Sequence, residues 1–463
     1  MRWLPLLPAL LLPFAAAAQD LPRGQLVNKV VVQADASESY ALYLPKAYRA
    51  DRQWPILYVF DARSNGPGAA QRFLAGAERY GYIVASSNNS ASDGPMEPNI
   101  KSLRAMWPDT HARFAIDDRR VYAAGFSGTV RFACNMALAA PGTIQGIVAA
   151  GAGFPFETRP TRDTPFLYYG TVGDRDFNYY EVLDLADEMT GLGLPHRVEV
   201  FAGPHDWMSE ELATRALGWL ELQAMKKGLR AKETALIQAL WTDDLARAKA
   251  LEATDLPEAH RLYTGMSDDY RGLVDAEALN DLAVQLSRIS ASEAFKKERK
   301  LRQDREARDK EYLAAAPKAM NTPVLAQAIL DLHIQELKKQ KDSADPAESL
   351  AAKRLLNALL GQTTFYLPRM FTEQGNHDRA IFVLSIGAEI LPDSPDIWFE
   401  IAAAHARKGS KKKALESLRK AVEKGFSDLP RLEGEAAFAG LRQDKGYREL
   451  AAEIAKKAAA PAG

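Results

Sequence analysis

From Leu26 to about Gly228 short apolar runs alternate with segments of helical period, and beyond Gly228 the strand pattern stops. No other feature constrains the fold as tightly. Eight runs are predicted strands, at 27–33, 41–44, 56–60, 83–86, 121–124, 144–150, 166–169 and 198–201. Several are continuously apolar, as strands are when helices cover both faces of their sheet. Helical patterns fill the gaps at 69–79, 100–114, 129–139, 179–191 and 210–227. Such alternation predicts an α/β fold with a doubly wound, mostly parallel sheet. The first two strands flank "ADASES" and predict an antiparallel hairpin at one edge.

The remainder predicts an all-α region. Residues 229–360 are rich in Ala, Leu, Lys and Glu at helical spacing, and 14 of the 19 residues from Glu293 to Glu311 are charged, with mixed signs. That composition predicts a solvated helix or helical linker held by i,i+4 pairs, with no binding role. The last hundred residues repeat with a period of about 34. Trp398, Ile401, Ala402, His405, Ala414, Leu418 and Ala421 mark one copy; Leu367, Phe371, Ala380, Leu384, Gly387 and Pro392 mark the copy before it. Small residues let paired helices approach and large ones fill the gap. Residues 361–456 therefore resemble tetratricopeptide repeats. Two copies need neighbours for stability, and the helices of 228–360 would supply them as degenerate repeats or a bundle. The expected organisation is 26–227 as the sheet domain, then one continuous helical domain that binds a protein partner or positions its neighbour.

Lysine and arginine number 59 against 60 acids, so charge gives no argument for nucleic acid or an anionic membrane surface. No run after the first residues reaches the ~20 apolar residues of a membrane span. At the start, Met1-Arg2, the apolar run from Trp3 to Phe14 and the alanines up to Ala18 form a secretory signal peptide pattern over residues 1–18. Export to the periplasm or the exterior is the expectation. Cys134 is the only cysteine, so an intramolecular disulfide is impossible and the core must supply the stability.

The chemistry centres on Gly125-Phe126-Ser127-Gly128, between an apolar strand and a helix opening. A serine hydroxyl becomes a nucleophile when a base takes its proton and an oxyanion site stabilises the charge. A strained strand-to-helix turn flanked by glycines presents it. The backbone N–H of Gly128 is one candidate oxyanion donor; Ala62 or Arg63, just after the 56–60 strand, would supply the second. The base should lie beyond the carboxyl end of a later strand. Of seven histidines only His205, in "AGPHDWM", is so placed. Asp174 and Asp176 both follow the preceding strand and could orient it. Asn88 and Asn89, in "SSNNSASDGP" at the same pole, are candidate substrate contacts. No cluster has metal-ligand spacing, and the chemistry requires no metal or cofactor.

These residues resemble the α/β-hydrolase superfamily, in the branch of dienelactone-hydrolase-like and polyhydroxyalkanoate-depolymerase-like secreted esterases, and resemble exported hydrolases with C-terminal tetratricopeptide repeats. The carriers are "LYVFDAR", "GYIVASSNNS", "GFSG", "DFNYYE" and "GPHDW". The resemblance implies Ser127 as nucleophile, Asp176 in preference to Asp174 as acid, His205 as base, and Gly128 with the Ala62–Arg63 turn as oxyanion hole. It implies hydrolysis of a small-molecule or polymer-derived ester. Thr129 stands where such proteins usually have glycine, a departure bearing on helix packing and pocket width. The loops show no basic cluster and no deep lid. Two other readings are a serine peptidase of the same fold and an inactive hydrolase-fold binding protein acting through its repeats.

Overall fold

The computed structural model describes residues 21–92 and 94–458. The signal-peptide expectation falls on residues 1–18, outside the described residues. The strands are β1 (Leu26–Val31), β2 (Ser39–Tyr43), β3 (Trp54–Phe60), β4 (Ile83–Ser87), β5 (Ile116–Phe126), β6 (Gly146–Ala150), β7 (Leu167–Gly173) and β8 (His196–Phe201). They form one sheet in the order β1-β2-β4-β3-β5-β6-β7-β8. β1 and β2 are the antiparallel edge hairpin; β2 pairs antiparallel with β4, and every later pairing is parallel.

Helices α1 (Gly66–Gln71), α2 (Leu74–Tyr80), α3 (Glu97–Arg113), α4 (Gly128–Ala139), α5 (Tyr179–Leu192) and α6 (Glu210–Lys226) cover the sheet. All seven residues of β3 are buried, alternately facing two apolar layers. Ile56, Tyr58 and Phe60 share one layer with Met106, Phe132 and Val182; Leu57 and Val59 share the other with Phe73, Leu217 and Leu220. Each such side chain contributes about 1.5–3 kcal/mol by leaving water, which is why the strand is continuously apolar. Cys134 is buried in the first layer, and burial pushes its thiol up to about 12, an inert core residue.

The predicted 69–79 helix is two helices, broken at Arg72–Phe73, with Phe73 fully buried. The first begins early because the Asn65 side chain accepts the Gly68 N–H and Pro67 sits in the first turn, a capping signal that "SNGP" disguised as a loop. The strand predicted at 121–124 extends over Ile116–Phe126 and carries the chain straight into the Ser127 turn.

The rest is helical: α7 (Thr234–Glu252), α8 (Leu256–Asp269), α9 (Ala276–Ala291), α10 (Glu293–Met320), α11 (Leu325–Asp331), α12 (Ile334–Gln340), α13 (Pro346–Gly361), a π-helical turn at Gln362–Tyr366, α14 (Leu367–Glu373), α15 (His377–Ile390), α16 (Pro395–Arg407), α17 (Lys411–Glu423), α18 (Leu429–Gly434), a 3-10 turn at Ala436–Leu441 and α19 (Lys445–Ala458). The two halves share apolar and ionic contacts. Leu222 and Met225 of α6 pack with Ile237, Trp241 and Tyr263, while Arg197 of β8 reaches Asp244 at 2.9 Å and Asp269 at 2.7 Å, all three buried. The charged α10 is not merely solvated. Asp309 is buried and accepts the Tyr180 hydroxyl of α5, and Lys310 pairs with Asp184.

Candidate active site

β5 ends in a sharp turn at Ser127, whose φ of 56° and ψ of −129° no ordinary L-residue prefers. The turn is tight enough that a Cβ on Gly125 would lie 2.6 Å from the backbone of Thr129 and Val130, so only glycine fits there. The Thr129 departure has a structural reason. Its buried Oγ1 accepts the Phe126 N–H at 2.9 Å and contacts the Phe60 carbonyl at 2.5 Å, tying the turn to the end of β3. Threonine thus replaces the close helix–strand contact of a glycine with hydrogen bonds.

Asp176 and His205 meet although 29 residues apart. The His205 Nδ1 lies 2.9 Å from both Asp176 carboxylate oxygens, and Asp176 is fully buried. The Asn178 N–H donates to Asp176 Oδ1 at 2.7 Å, a second hold on the carboxylate. Asp174 is otherwise employed: its Oδ1 accepts the Gly203 N–H at 3.0 Å, closing the loop after β8 onto the loop after β7. Phe177 and Phe126 flank the imidazole, with ring centroids 4.1 and 4.7 Å away. Gly151 was missed in the sequence. It has φ 66°, and a Cβ there would stand 3.0 Å from Asp176 Oδ2 and His205 Nδ1.

Ser127 and His205 line one cavity of about 490 Å³. Among the described residues the Ser127 hydroxyl makes no hydrogen bond, to His205 included. Catalytic hydrogen bonds of this kind commonly tighten only with substrate present. Gly128 opens α4 beside Ser127, and Ala62 and Arg63 line the same cavity. The Arg63 N–H donates to Asp61 Oδ1 at 2.8 Å, whereas the Ala62 N–H has no partner among the described residues. Asp61 is buried and its other oxygen accepts the Trp207 indole N–H, so this turn is held rigidly.

The substrate contacts expected at Asn88 and Asn89 are a correction. Neither lines the cavity. Asn88 donates to the Asn28 carbonyl and the Ser39 hydroxyl; Asn89 accepts the Ser39 N–H and donates to the Ser37 carbonyl. They fasten the edge hairpin to β4, and among the described residues of that loop only Ser92, further along it, reaches the cavity.

A second correction concerns the lid. The far wall comes from the helical half: Asn357, Leu360 and Gly361 of α13, Thr364, Phe365 and Tyr366 of the π-helical turn, and Arg369 of α14. The same helix grips the loop bearing Asp176. Arg354 donates Nε–H to the Asp174 carbonyl at 3.1 Å and Asn357 donates Nδ2–H to the Arg175 carbonyl at 2.8 Å. Arg354 and Asn357 are three apart and so share a helix face. No local pattern announces contacts spanning about 180 residues; they depend on where α13 packs.

Among the described residues no group of three or more His, Cys, Asp or Glu side chains could hold a metal, and no helix is long and apolar enough to cross a membrane. The strand order and the Ser127 turn define the fold of the sheet domain as that of an α/β hydrolase. No protein-family model matches the chain, and no curated protein sequence matches it. Its similarity to solved structures is distant. A ferulic acid esterase is 17% identical with a TM-score of 0.33, over 42% of this chain and 94% of that one. The S-formylglutathione hydrolase FrmB from Staphylococcus aureus is 15% identical with a TM-score of 0.34, over 43% and 98%. Est1E from Butyrivibrio proteoclasticus is 13% identical with a TM-score of 0.33, over 43% and 100%.

Proposed function

We propose that the protein is an exported serine hydrolase that cleaves a carboxylic ester through an acyl-enzyme on Ser127. The observation that carries this reading is the pairing of buried Asp176 with His205, which lines the same cavity as Ser127 on its strained turn. His205 takes the Ser127 proton as Oγ adds to the ester carbonyl, and returns it to the departing alcohol. Water then repeats the cycle on the acyl-enzyme and releases the acid. Asp176 holds the ring through its Nδ1. The Gly128 N–H and the Ala62–Arg63 turn are the proposed donors to the tetrahedral oxyanion. Export is proposed from the basic start, apolar run and alanines of residues 1–18. The 361–456 segment is proposed as tetratricopeptide repeats, supported by the antiparallel helix pair α16–α17 packing through Ala402, Ala414 and Leu418.

A fluorophosphonate probe tests the central claim. Labelling of the mature protein should be abolished in Ser127→Ala, together with nearly all 4-nitrophenyl ester turnover, while far-UV circular dichroism is retained. An unlabelled wild type, or turnover that survives Ser127→Ala, overturns the assignment.

A further inference from the structure

Ser127 and Asp176 lead into two helices, α4 and α5, whose apolar residues share one layer against the sheet: Phe132 and Cys134 from the first, Val182 and Leu185 from the second. Apolar burial is non-directional, so it holds both helices to the sheet without fixing how one lies along the other. The Ser127 hydroxyl makes no hydrogen bond among the described residues. The spacing of the two helix starts therefore decides whether it comes within reach of His205.

One polar cluster fixes that spacing. Arg131 is buried and follows Ser127 by four residues, one turn into α4. Its Nη1 donates to Glu181 Oε1 at 2.5 Å and its Nη2 to Glu181 Oε2 at 2.9 Å, a two-pronged hold. Glu181 lies in the first turn of α5, five residues after Asp176. The same Nη1 donates to the Phe154 carbonyl at 2.7 Å, and Glu181 Oε1 accepts the Gly153 N–H at 2.9 Å. The loop after β6 is thereby clasped between the two helices. Earlier in that loop Gly151 stands against Asp176 and His205, and its carbonyl accepts Asn178 Nδ2–H at 2.7 Å. Asn178 also donates its N–H to the Asp176 carboxylate. Nucleophile helix, β6 loop and acid loop are joined in one closed circuit. The Phe156 ring, 77% exposed, lies 3.9 Å from the Arg131 guanidinium and covers it.

A charge pair of this kind often adds no stability over apolar residues of similar volume. Its two parallel hydrogen bonds fix direction and distance, which apolar packing does not. We propose that Arg131 and Glu181 are positioning residues: their pair sets the separation of the Ser127 and Asp176 helix starts and holds Gly151 against the Asp176–His205 pair. This inference rests on the hydrolase reading.

The test compares Arg131→Met, Glu181→Gln and the double variant on the full chain, with 4-nitrophenyl ester turnover expressed per Ser127 labelled to completion by a fluorophosphonate. Methionine keeps the apolar stem of Arg131, and glutamine keeps an acceptor for the Gly153 N–H. Each single variant strands its partner's charge, so the thermal unfolding midpoint should fall; the double variant strands neither and should regain part of that loss. In all three, kcat per labelled site should fall about tenfold with KM within about twofold of wild type. The double variant should lie within about twofold of the worse single one, because the pair acts as a unit. A merely structural role would lower the labelled fraction and leave the turnover of each labelled site unchanged. Unchanged kcat, kcat that recovers with the midpoint in the double variant, or losses that multiply to about a hundredfold overturn the inference while leaving the hydrolase reading standing. If a single variant fails to fold, the double variant carries the comparison. Should wild type neither turn over esters nor label at Ser127, the hydrolase reading fails alone. The His205 Nδ1–H magnetic resonance signal, in protein isotope-labelled at its histidine nitrogens and assigned by its loss in His205→Gln, then decides. Its loss or broadening in the double variant supports the positioning role; a signal unaltered in that variant, or absent from wild type, refutes it.

Discussion

Arg354→Met should separate the holding of the Asp176 loop from the folding of the chain. The Arg354 side chain is only 9% exposed, and its guanidinium makes three polar contacts besides lying over the Tyr179 ring. It donates to the Asp174 carbonyl at 3.1 Å, donates to the Tyr180 hydroxyl at 2.7 Å, and lies 3.7 Å from the buried Asp309 carboxylate. Methionine keeps the apolar stem and removes all three contacts. A buried carboxylate stripped of its counter-ion, with the lost hydrogen bonds, costs about 3 kcal/mol, which chemical denaturation would read. Of the two anchors that α13 gives the Asp174–Phe177 loop, only Asn357 remains. A displacement of about 1 Å at a catalytic group costs up to about a hundredfold, so with one of the two α13 anchors removed kcat should fall about tenfold. KM should hold, because Arg354 does not line the Ser127 cavity. Asp309→Asn in the same chain removes the stranded charge while still accepting the Tyr180 hydroxyl. Stability should return by about 2 kcal/mol with kcat remaining low. If kcat is unchanged in Arg354→Met, or recovers with stability in the double variant, α13 does not position the acid and the argument fails.

Three further outcomes are expected. Thr129→Val strands the Phe126 N–H and the Phe60 carbonyl in a buried turn and should cost about 2 kcal/mol; an unfolding free energy within about 0.5 kcal/mol of wild type would deny the bracing role. Gly151→Ala adds a Cβ 3.0 Å from both Asp176 and His205 at a φ of 66°, so ester turnover should drop at least about tenfold, and undiminished turnover would show that the pair shifts freely. Burial lowers the His196 and His405 pKa values below the ordinary 6.5, so the folded state binds their protons less readily than the unfolded chain does. Their contribution is complete above 6.5 and is lost as pH falls through the folded values, so the unfolding midpoint should drop between about pH 7 and pH 5. His196→Gln and His405→Gln should flatten that drop; a profile that keeps its slope in both refutes the assignment.

The sheet domain was legible because its information is local. Runs such as Trp54–Phe60 are apolar at every position only where both faces are covered, and eight strand runs alternating with helices leave few arrangements. Ser127, His205 and the loop carrying Asp174 and Asp176 were nameable for a related reason: strand ends in a parallel sheet fall at one pole, so loop order predicts proximity, while the preference for Asp176 came only from the family resemblance. Helix boundaries near Asn65 and Phe73 were less legible, since capping and the burial of one phenylalanine decided them. Asn88 and Asn89 misled because a polar loop at the right pole reads alike whether it faces substrate or a neighbouring hairpin.

By itself the sequence determined the α/β sheet, the helical remainder, the candidate nucleophile and base, and a pair of candidate acids, since period and loop order are properties of short stretches. The tertiary structure alone decided that Asp176 meets His205 while Asp174 closes a loop, that Thr129 braces the turn, and that α13 and α14 wall the cavity and bring Arg369 beside Arg63. These depend on packing between segments up to about 300 residues apart, where a side chain's partner is fixed by the path of the backbone and by burial of the surfaces between, which no local pattern encodes.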